Sequence, residues 1–152
     1  MRRGLDGALE NPVWPDGARV RALLNDKQDA RAAHAVLQSG FWEGGGGAVA
    51  FPRWWSALRK AAAFDPALFF IVEDERGVAG LAHCRTNALI KDLAVHPRAR
   101  RQGLGRALML TAFSAFAARG EVRVDLKVRE DNLTAQRLYQ SLDMRIVGRE
   151  AA

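Results

Sequence analysis

Apolar residues along the chain fall into short runs and into stretches where they recur every three or four positions. Residues 67–74 (ALFFIVED), 78–86 (VAGLAHCRT) and 88–95 (ALIKDLAV) read as three strands, the first two joined by a tight turn at ERGV. Residues 122–128 (VRVDLKV) alternate faces at the strand period, and 18–24 (ARVRALL) and 144–150 (MRIVGRE) are shorter strand candidates. The spacing also predicts four helices. The first runs through 27–39 (KQDARAAHAVLQS), with Asn25 or Asp26 as its cap and Gly40 at its end. After it come Phe41, Trp42, Glu43 and four consecutive glycines, a loop signal. Pro52 suits the first turn of a second helix, 52–63 (PRWWSALRKAAA). The third spans Gly103 to Ala118 and stops at Gly120. The fourth follows a cap at Asp131 or Asn132, and there Ala135, Leu138, Tyr139 and Leu142 make a core-facing stripe.

The predicted order is β-α-α-β-β-β-α-β-α-β. Three consecutive strands with short turns imply an antiparallel meander, and the later strand–helix–strand units imply parallel pairing. The expected class is therefore α/β (α+β): one mixed sheet flanked by four helices, in a single domain over residues 18–152. Residues 1–17, rich in Gly, Pro, Asp and Asn, are expected to form a flexible N-terminal arm.

Composition narrows the function. Of the 152 residues 49% are hydrophobic and 26% charged, ordinary for a soluble globular domain. No apolar run approaches the roughly 18 residues of a membrane span. The start is basic but lacks the apolar core of a signal peptide, so a cytoplasmic location is expected. A net charge of +6 points to an anionic partner. Cys84 is the one cysteine, which excludes an intrachain disulfide and a cysteine-based zinc cluster. Cys84 reads as a small core residue, and no metal site is expected.

Arg98, Arg100, Arg101 and Arg106 crowd around Gly103 and Gly105 at the start of the third helix. Glycine lets backbone approach a ligand closely, and a helix start offers unpaired N–H groups and the positive end of its dipole. With guanidinium donors added, a diphosphate is the natural guest. A Walker A loop fails for want of Lys-Ser or Lys-Thr. A dinucleotide fingerprint fails because Leu108 stands where its third glycine belongs, and His96 to Gln102 separate strand from glycines. What remains is the R/Q-x-x-G-x-G/A pattern in RRQGLG, residues 100–105, after a strand ending LAVHP.

With these residues the chain resembles the GNAT superfamily of acyl-CoA-dependent N-acetyltransferases. The resemblance extends through LKVREDNLTAQRLYQSLDM, residues 126–144, and covers about residues 67–150. It implies a GNAT-like acetyltransferase domain with acetyl-CoA as co-substrate, bound between the strands 88–95 and 122–128. In the family the former strand carries a bulge and the two splay apart beyond it. The resemblance then implies that the Leu93 N–H faces the thioester carbonyl, and that the pantetheine arm runs along Leu93, Ala94 and Val95. The diphosphate would rest on Gln102, Gly103, Leu104, Gly105, Arg106 and Ala107, with Arg100 and Arg101 nearby. Asn132 resembles a cofactor-contacting residue, although a helix cap accounts for it equally. Tyr139, the only tyrosine, matches the family's acid for the departing thiolate, against a packing role on its apolar stripe.

Amide formation also needs the amine to lose a proton. Asp92 is the catalytic candidate, weighed against a surface ion pair with Lys91. His83 on the adjacent strand could titrate usefully, His96 precedes Pro97 and shapes a turn, and Glu73 is a weaker choice. The expected activity is acetyl transfer from acetyl-CoA to a primary amine on a small molecule, by direct attack in a ternary complex. Phe41, Trp42, Phe51, Trp54 and Trp55 could line the acceptor site. The alternatives are a non-catalytic acyl-CoA-binding module and a protein or peptide N-acetyltransferase. No nucleic-acid partner is expected, because the arginines sit at a helix start and not along a recognition element. GNAT domains usually end in a two-strand hairpin and the last of those strands has no counterpart here. The N-terminal arm or a second copy would have to complete the sheet, and a homodimer is the expectation.

Overall fold

The computed structural model describes residues 1–24, 26–39 and 49–149, together with the backbone of 41–43. Its elements are β1 (Arg2–Gly4), β2 (Arg19–Ala22), α1 (Lys27–Ser39), β3 (Phe41–Glu43), α2 (Phe51–Lys60), β4 (Phe64–Asp74), β5 (Gly77–Arg85), β6 (Leu89–Val95), α3 (Leu104–Ala118), β7 (Arg123–Leu126) and α4 (Leu133–Ser141). The strands form one seven-stranded sheet in the order β1-β7-β6-β5-β4-β2, with β3 also paired to β6. The meander β4-β5-β6 is antiparallel, and β6 and β7 run parallel. The fold is the mixed sheet that the strand order implies.

Local signals explain the helices. The Asp26 carboxylate accepts the Asp29 N–H at 2.8 Å and starts α1. Pro52 stands in the first turn of α2. The Asn132 side-chain oxygen accepts the Ala135 N–H at 3.1 Å, so Asn132 is the cap of α4. Gly40 and the glycine run 44–47 lie outside the described residues.

Both faces of the sheet are covered. On one, α1 and α2 bury Ala33, Val36, Phe51, Trp55 and Leu58 against Phe69, Ile71, Leu81 and Ala94. On the other, α3 and α4 bury Leu104, Leu108, Phe113, Phe116, Ala135 and Tyr139 against Leu68, Val72, Ala82, Ile90, Leu93 and Val124. The pattern accounts for α3 being apolar nearly all round: eight of its residues are buried.

Two expectations change at the ends of the chain. The first residues are not a loose arm. Arg2, Arg3 and Gly4 pair antiparallel with Asp125, Val124 and Arg123 of β7. The Arg2 guanidinium holds Asp125 through two hydrogen bonds of 2.7 and 3.0 Å, and the N-terminal ammonium donates to the Leu126 carbonyl at 2.7 Å. Met1 and Leu5 are buried beside them. Residues 144–149, in turn, form no strand, and Arg145 makes only a single bridge to Arg2. The physical reason is shared. The β7 edge that a closing strand or a second copy would need is occupied by β1 from the same chain, which removes the unpaired edge that motivated a dimer.

Candidate functional site

The site is built around an irregularity in β6. His83 of β5 pairs with Asp92, but the next residue, Cys84, pairs with Ile90, so Lys91 is an extra residue on β6. This β-bulge resets the alternation of faces. Ile90 and Leu93 both reach the α3 side of the sheet, while Ala94 reaches the α1/α2 side. The parallel pairing with β7 covers only Leu89↔Asp125 and Ile90↔Leu126 and stops where the bulge begins. Bulge and divergence thus coincide. Beyond that point the β6 edge away from β5 is taken by β3, with Phe41, Trp42 and Glu43 opposite Val95, Ala94 and Leu93.

The chain leaves β6 through a short turn, Pro97–Ala99, in which the His96 Nδ1 accepts the Arg98 N–H at 3.1 Å. His96 is a turn-shaper, as its position before proline suggests. Gly103 follows with φ 78°, the left-handed geometry that glycine adopts without strain, and α3 begins there with no side-chain cap. The first bond of the helix is from the Ala107 N–H to the Gly103 carbonyl at 3.0 Å. The N–H groups of Leu104, Gly105 and Arg106 lie ahead of it as the orphan donors of a helix start. A recess of about 250 Å³ opens beside them, between Glu10 and Val13 and the residues Gln102, Gly103, Arg106 and Leu110.

The four arginines divide. Arg98 staples the β4–β5 turn, 2.7 Å from Asp74 and in reach of the Gly77 and Val78 carbonyls at 3.4 and 3.3 Å, and it holds the Asp74 carboxyl below the usual carboxylate range. Arg106 meets Glu10 at 2.9 Å and the Ser141 hydroxyl at 3.3 Å. Arg100 and Arg101 are exposed at the mouth of the turn, and the described residues offer them no ion pair.

Asp92 is not a surface residue. It is 6% exposed, faces His83 (4% exposed) with Oδ2 3.3 Å from Nδ1, and stands 4.0 Å from the Lys91 ammonium. Glu73 lies far along β4 from this pair, ion-paired with Arg21 at 3.3 Å, and is no candidate base. Tyr139 is buried at 1% exposure in the α3/α4 core. Cys84 points into the same core, where burial pushes its thiol far up and leaves it inert. Phe51 and Trp55 are buried under α1 and α2, while the side chains of Phe41 and Trp42 lie outside the described residues. The family resemblance expects a bulge on this strand but does not place it at Lys91, and the His83–Asp92 contact depends on cross-strand register. Neither the position of the bulge nor that contact was legible in the sequence.

Known proteins resemble this chain in sequence and in fold. The model of the acetyltransferase (GNAT) family matches residues 28–144. A mycothiol acetyltransferase from Thermobispora bispora is 30% identical, over 93% of this chain and 51% of its own length. One from Streptomyces avermitilis is 32% identical over 93% of this chain and 48% of its own. The chain spans about half the length of these curated relatives. A GCN5-related N-acetyltransferase from Sphaerobacter thermophilus superposes with a TM-score of 0.79 at 26% identity, covering 95% of this chain and 46% of that one. The ribosomal-protein-S18-alanine N-acetyltransferase from Escherichia coli shares the fold, with a TM-score of 0.67 at 24% identity over 82% of this chain and 76% of its own.

Proposed function

Because the chain belongs to the GNAT acetyltransferase family, we propose that it moves an acetyl group from acetyl-CoA to a primary amine on a small molecule, by direct attack in a ternary complex. The observation that carries this is the coincidence of three features on one line of chain. A bulge at Lys91 ends the β6–β7 pairing, an uncapped helix starts at Gly103, and Arg100 and Arg101 face solvent without acidic partners among the described residues.

The residues present fit acetyl-CoA. Orphan amides at Leu104, Gly105 and Arg106, with Gln102, Gly103 and Ala107 around them, suit a diphosphate, and the helix dipole adds roughly 0.3–1 kcal/mol per charge. Arg100 and Arg101 supply charge-assisted donors. Glu10 competes for Arg106 from the N-terminal segment, so Arg106 is the weakest member of the set. Backbone at Leu93, Ala94 and Val95 receives the pantetheine arm as an added strand. That edge holds β3, and one edge pairs with one partner, so β3 gives way when the arm enters. When bound, acetyl-CoA supplies an acyl carbon already activated as a thioester.

This chain's part is positioning and proton handling. The Leu93 N–H donates to the thioester oxygen as negative charge develops there, a contribution that single-donor deletions place at about 2.7–4 kcal/mol in such sites. Tyr139 gives a proton toward the departing sulfur. Asp92 lies beside Leu93 and serves deprotonation of the amine. The relatives named mycothiol acetyltransferases support an acceptor of small-molecule size. The test is a thiol-release assay over a panel of small primary amines, alongside calorimetry with acetyl-CoA. Saturable release with at least one amine is the expected result. Acetyl-CoA binding without release for any amine would make the chain a non-catalytic binding module.

A further inference from the structure

We propose that the base of this reaction is a dyad, His83 held by Asp92, with the His83 Nε2 taking the proton from the acceptor's ammonium. The inference rests on the amine-acetylation reading above and supplies the base that reading leaves open.

The bulge makes the dyad. In an unbroken strand Asp92 would share the Ile90 face and sit beneath α3 among Leu104 and Leu108. The extra residue at Lys91 turns it to the opposite face, where it meets His83 across the β5–β6 ladder. Phe69 identifies that face. Its ring stacks on the His83 imidazole with centroids 4.9 Å apart, and it belongs to the cluster packed beneath α1 and α2. Phe64 meets the imidazole edge-on at 6.5 Å.

Two polar side chains buried between aromatic walls are poor packing material. Among the described residues neither the His83 Nε2 nor the Asp92 Oδ1 has a hydrogen-bond partner. Each unsatisfied buried atom costs about 1–3 kcal/mol, and an apolar pair would fill the space without that cost. A buried polar group left unsatisfied calls for an explanation, and a functional role is one that fits here.

The chemistry follows from the single contact. A carboxylate oxygen 3.3 Å from Nδ1 accepts its proton. This selects the tautomer whose Nε2 carries a free lone pair. Asp92 therefore positions and charge-balances the ring, and Nε2 is the atom that reacts. Asp92 immediately precedes Leu93, the amide assigned to the thioester oxygen, and His83 lies across the ladder from Asp92 on β5, so dyad and oxyanion donor occupy adjoining positions of two paired strands. Among the described residues the charged groups next to His83 along and across the ladder are Asp92, Lys91 beside it on β6, and Arg85 two residues on along β5. His34 of α1 stands beyond Trp54 and Phe69, its Nε2 2.7 Å from the Val49 carbonyl.

The protons balance. Nε2 accepts one from the ammonium, and the freed lone pair forms the C–N bond while the carbonyl pair moves to oxygen. Collapse of that intermediate breaks the C–S bond and the sulfur leaves with the pair. The second N–H proton reaches sulfur by way of the Tyr139 hydroxyl, and the imidazolium returns its own to water.

The pH profile of kcat/KM tests this with a readout that a packing role would not move. Wild-type kcat/KM should level off at a pH well below the amine's own ionisation, because the dyad takes up the ammonium proton. His83→Gln should lose about 100- to 1,000-fold at pH 7 and keep climbing about tenfold per pH unit toward the amine's own ionisation near 10. Its acetyl-CoA Kd should stay within about threefold. Asp92→Asn removes the carboxylate that fixes the tautomer and should show the same climb, which covers the case in which His83→Gln does not fold. Retention of the wild-type plateau by either folded variant overturns the dyad. So does a wild-type kcat/KM that climbs all the way to the amine's own ionisation without levelling off, and this needs no variant. An active wild type with these outcomes sinks the dyad alone, whereas a wild type that never releases thiol sinks the transferase reading and the dyad with it.

Discussion

Arg101 offers a case where stability and ligand affinity should move in opposite directions. Its φ is 64°, a left-handed backbone that costs a non-glycine residue about 1–2 kcal/mol. Arg101→Gly removes that strain but frees the unfolded chain, which offsets about 0.5–1 kcal/mol. The net gain is about 0.5–1 kcal/mol, or about 1–4 °C in Tm for a domain of this size. The same change removes a charge-assisted contact to phosphate, nominally about 1.5–3 kcal/mol. Because the side chain is exposed, about 1–2 kcal/mol is the better expectation, which is about 5- to 30-fold in Kd. Two controls separate the terms. Arg101→Ala keeps the strained backbone and should lose affinity without gaining stability. Arg100 has φ −68° and ψ 159°, ordinary extended geometry, so Arg100→Gly should lose both. Thermal melts without ligand and calorimetry with acetyl-CoA read the two axes. An Arg101→Gly protein that melts lower than wild type, or binds acetyl-CoA as tightly, refutes the reasoning.

Two further outcomes are expected. Burial alone would raise the Asp29 carboxyl, but the Arg21 guanidinium at 2.7 and 2.9 Å and the Leu24 N–H at 2.7 Å outweigh it and hold Asp29 below the usual carboxylate range. A depressed carboxylate stabilises the fold above the unfolded value near 4 and loses that contribution as pH falls below it. Asp29→Asn should therefore cost about 1–3 kcal/mol at pH 7 in urea unfolding, with the gap to wild type closing from about pH 4 downward. Deleting residues 1–4 removes the three pairs of β1 with β7. The exposed edge should lower Tm and increase concentration-dependent self-association in sedimentation relative to the full chain.

The parts of the molecule that local chemistry decides could be read from the sequence. The turn into α3 is one: glycines, arginines and a helix start within residues 98–107 need no distant partner to announce themselves. The helices 27–39 and 133–141 are others, each with its cap at Asp26 or Asn132. What depends on register could not be read. LIKDLAV sets two polar residues, Lys91 and Asp92, side by side on the strand that the family resemblance expects to bulge, and only its pairing with β5 shows that Lys91 is the extra residue. The same shift brings Asp92 to His83, two residues that sequence reasoning weighed separately. At the sheet edge, MRIVGRE has the composition of a strand and RRG does not. Arg2, Arg3 and Gly4 nonetheless win the β7 edge, because the Arg2–Asp125 contact and the buried Met1 and Leu5 anchor them there. Competition between segments for one edge is a tertiary matter, invisible to propensity.

The central claim is that the β6 edge beyond the Lys91 bulge and the amides at the start of α3 together hold acetyl-CoA. Hydrogen exchange by mass spectrometry, with and without acetyl-CoA, examines both at once. Peptides over residues 102–107 should gain protection, and those over 41–43 should lose it as β3 leaves the edge, while 93–95 stay protected by their new partner. Identical exchange in all three segments at saturating acetyl-CoA would contradict the claim.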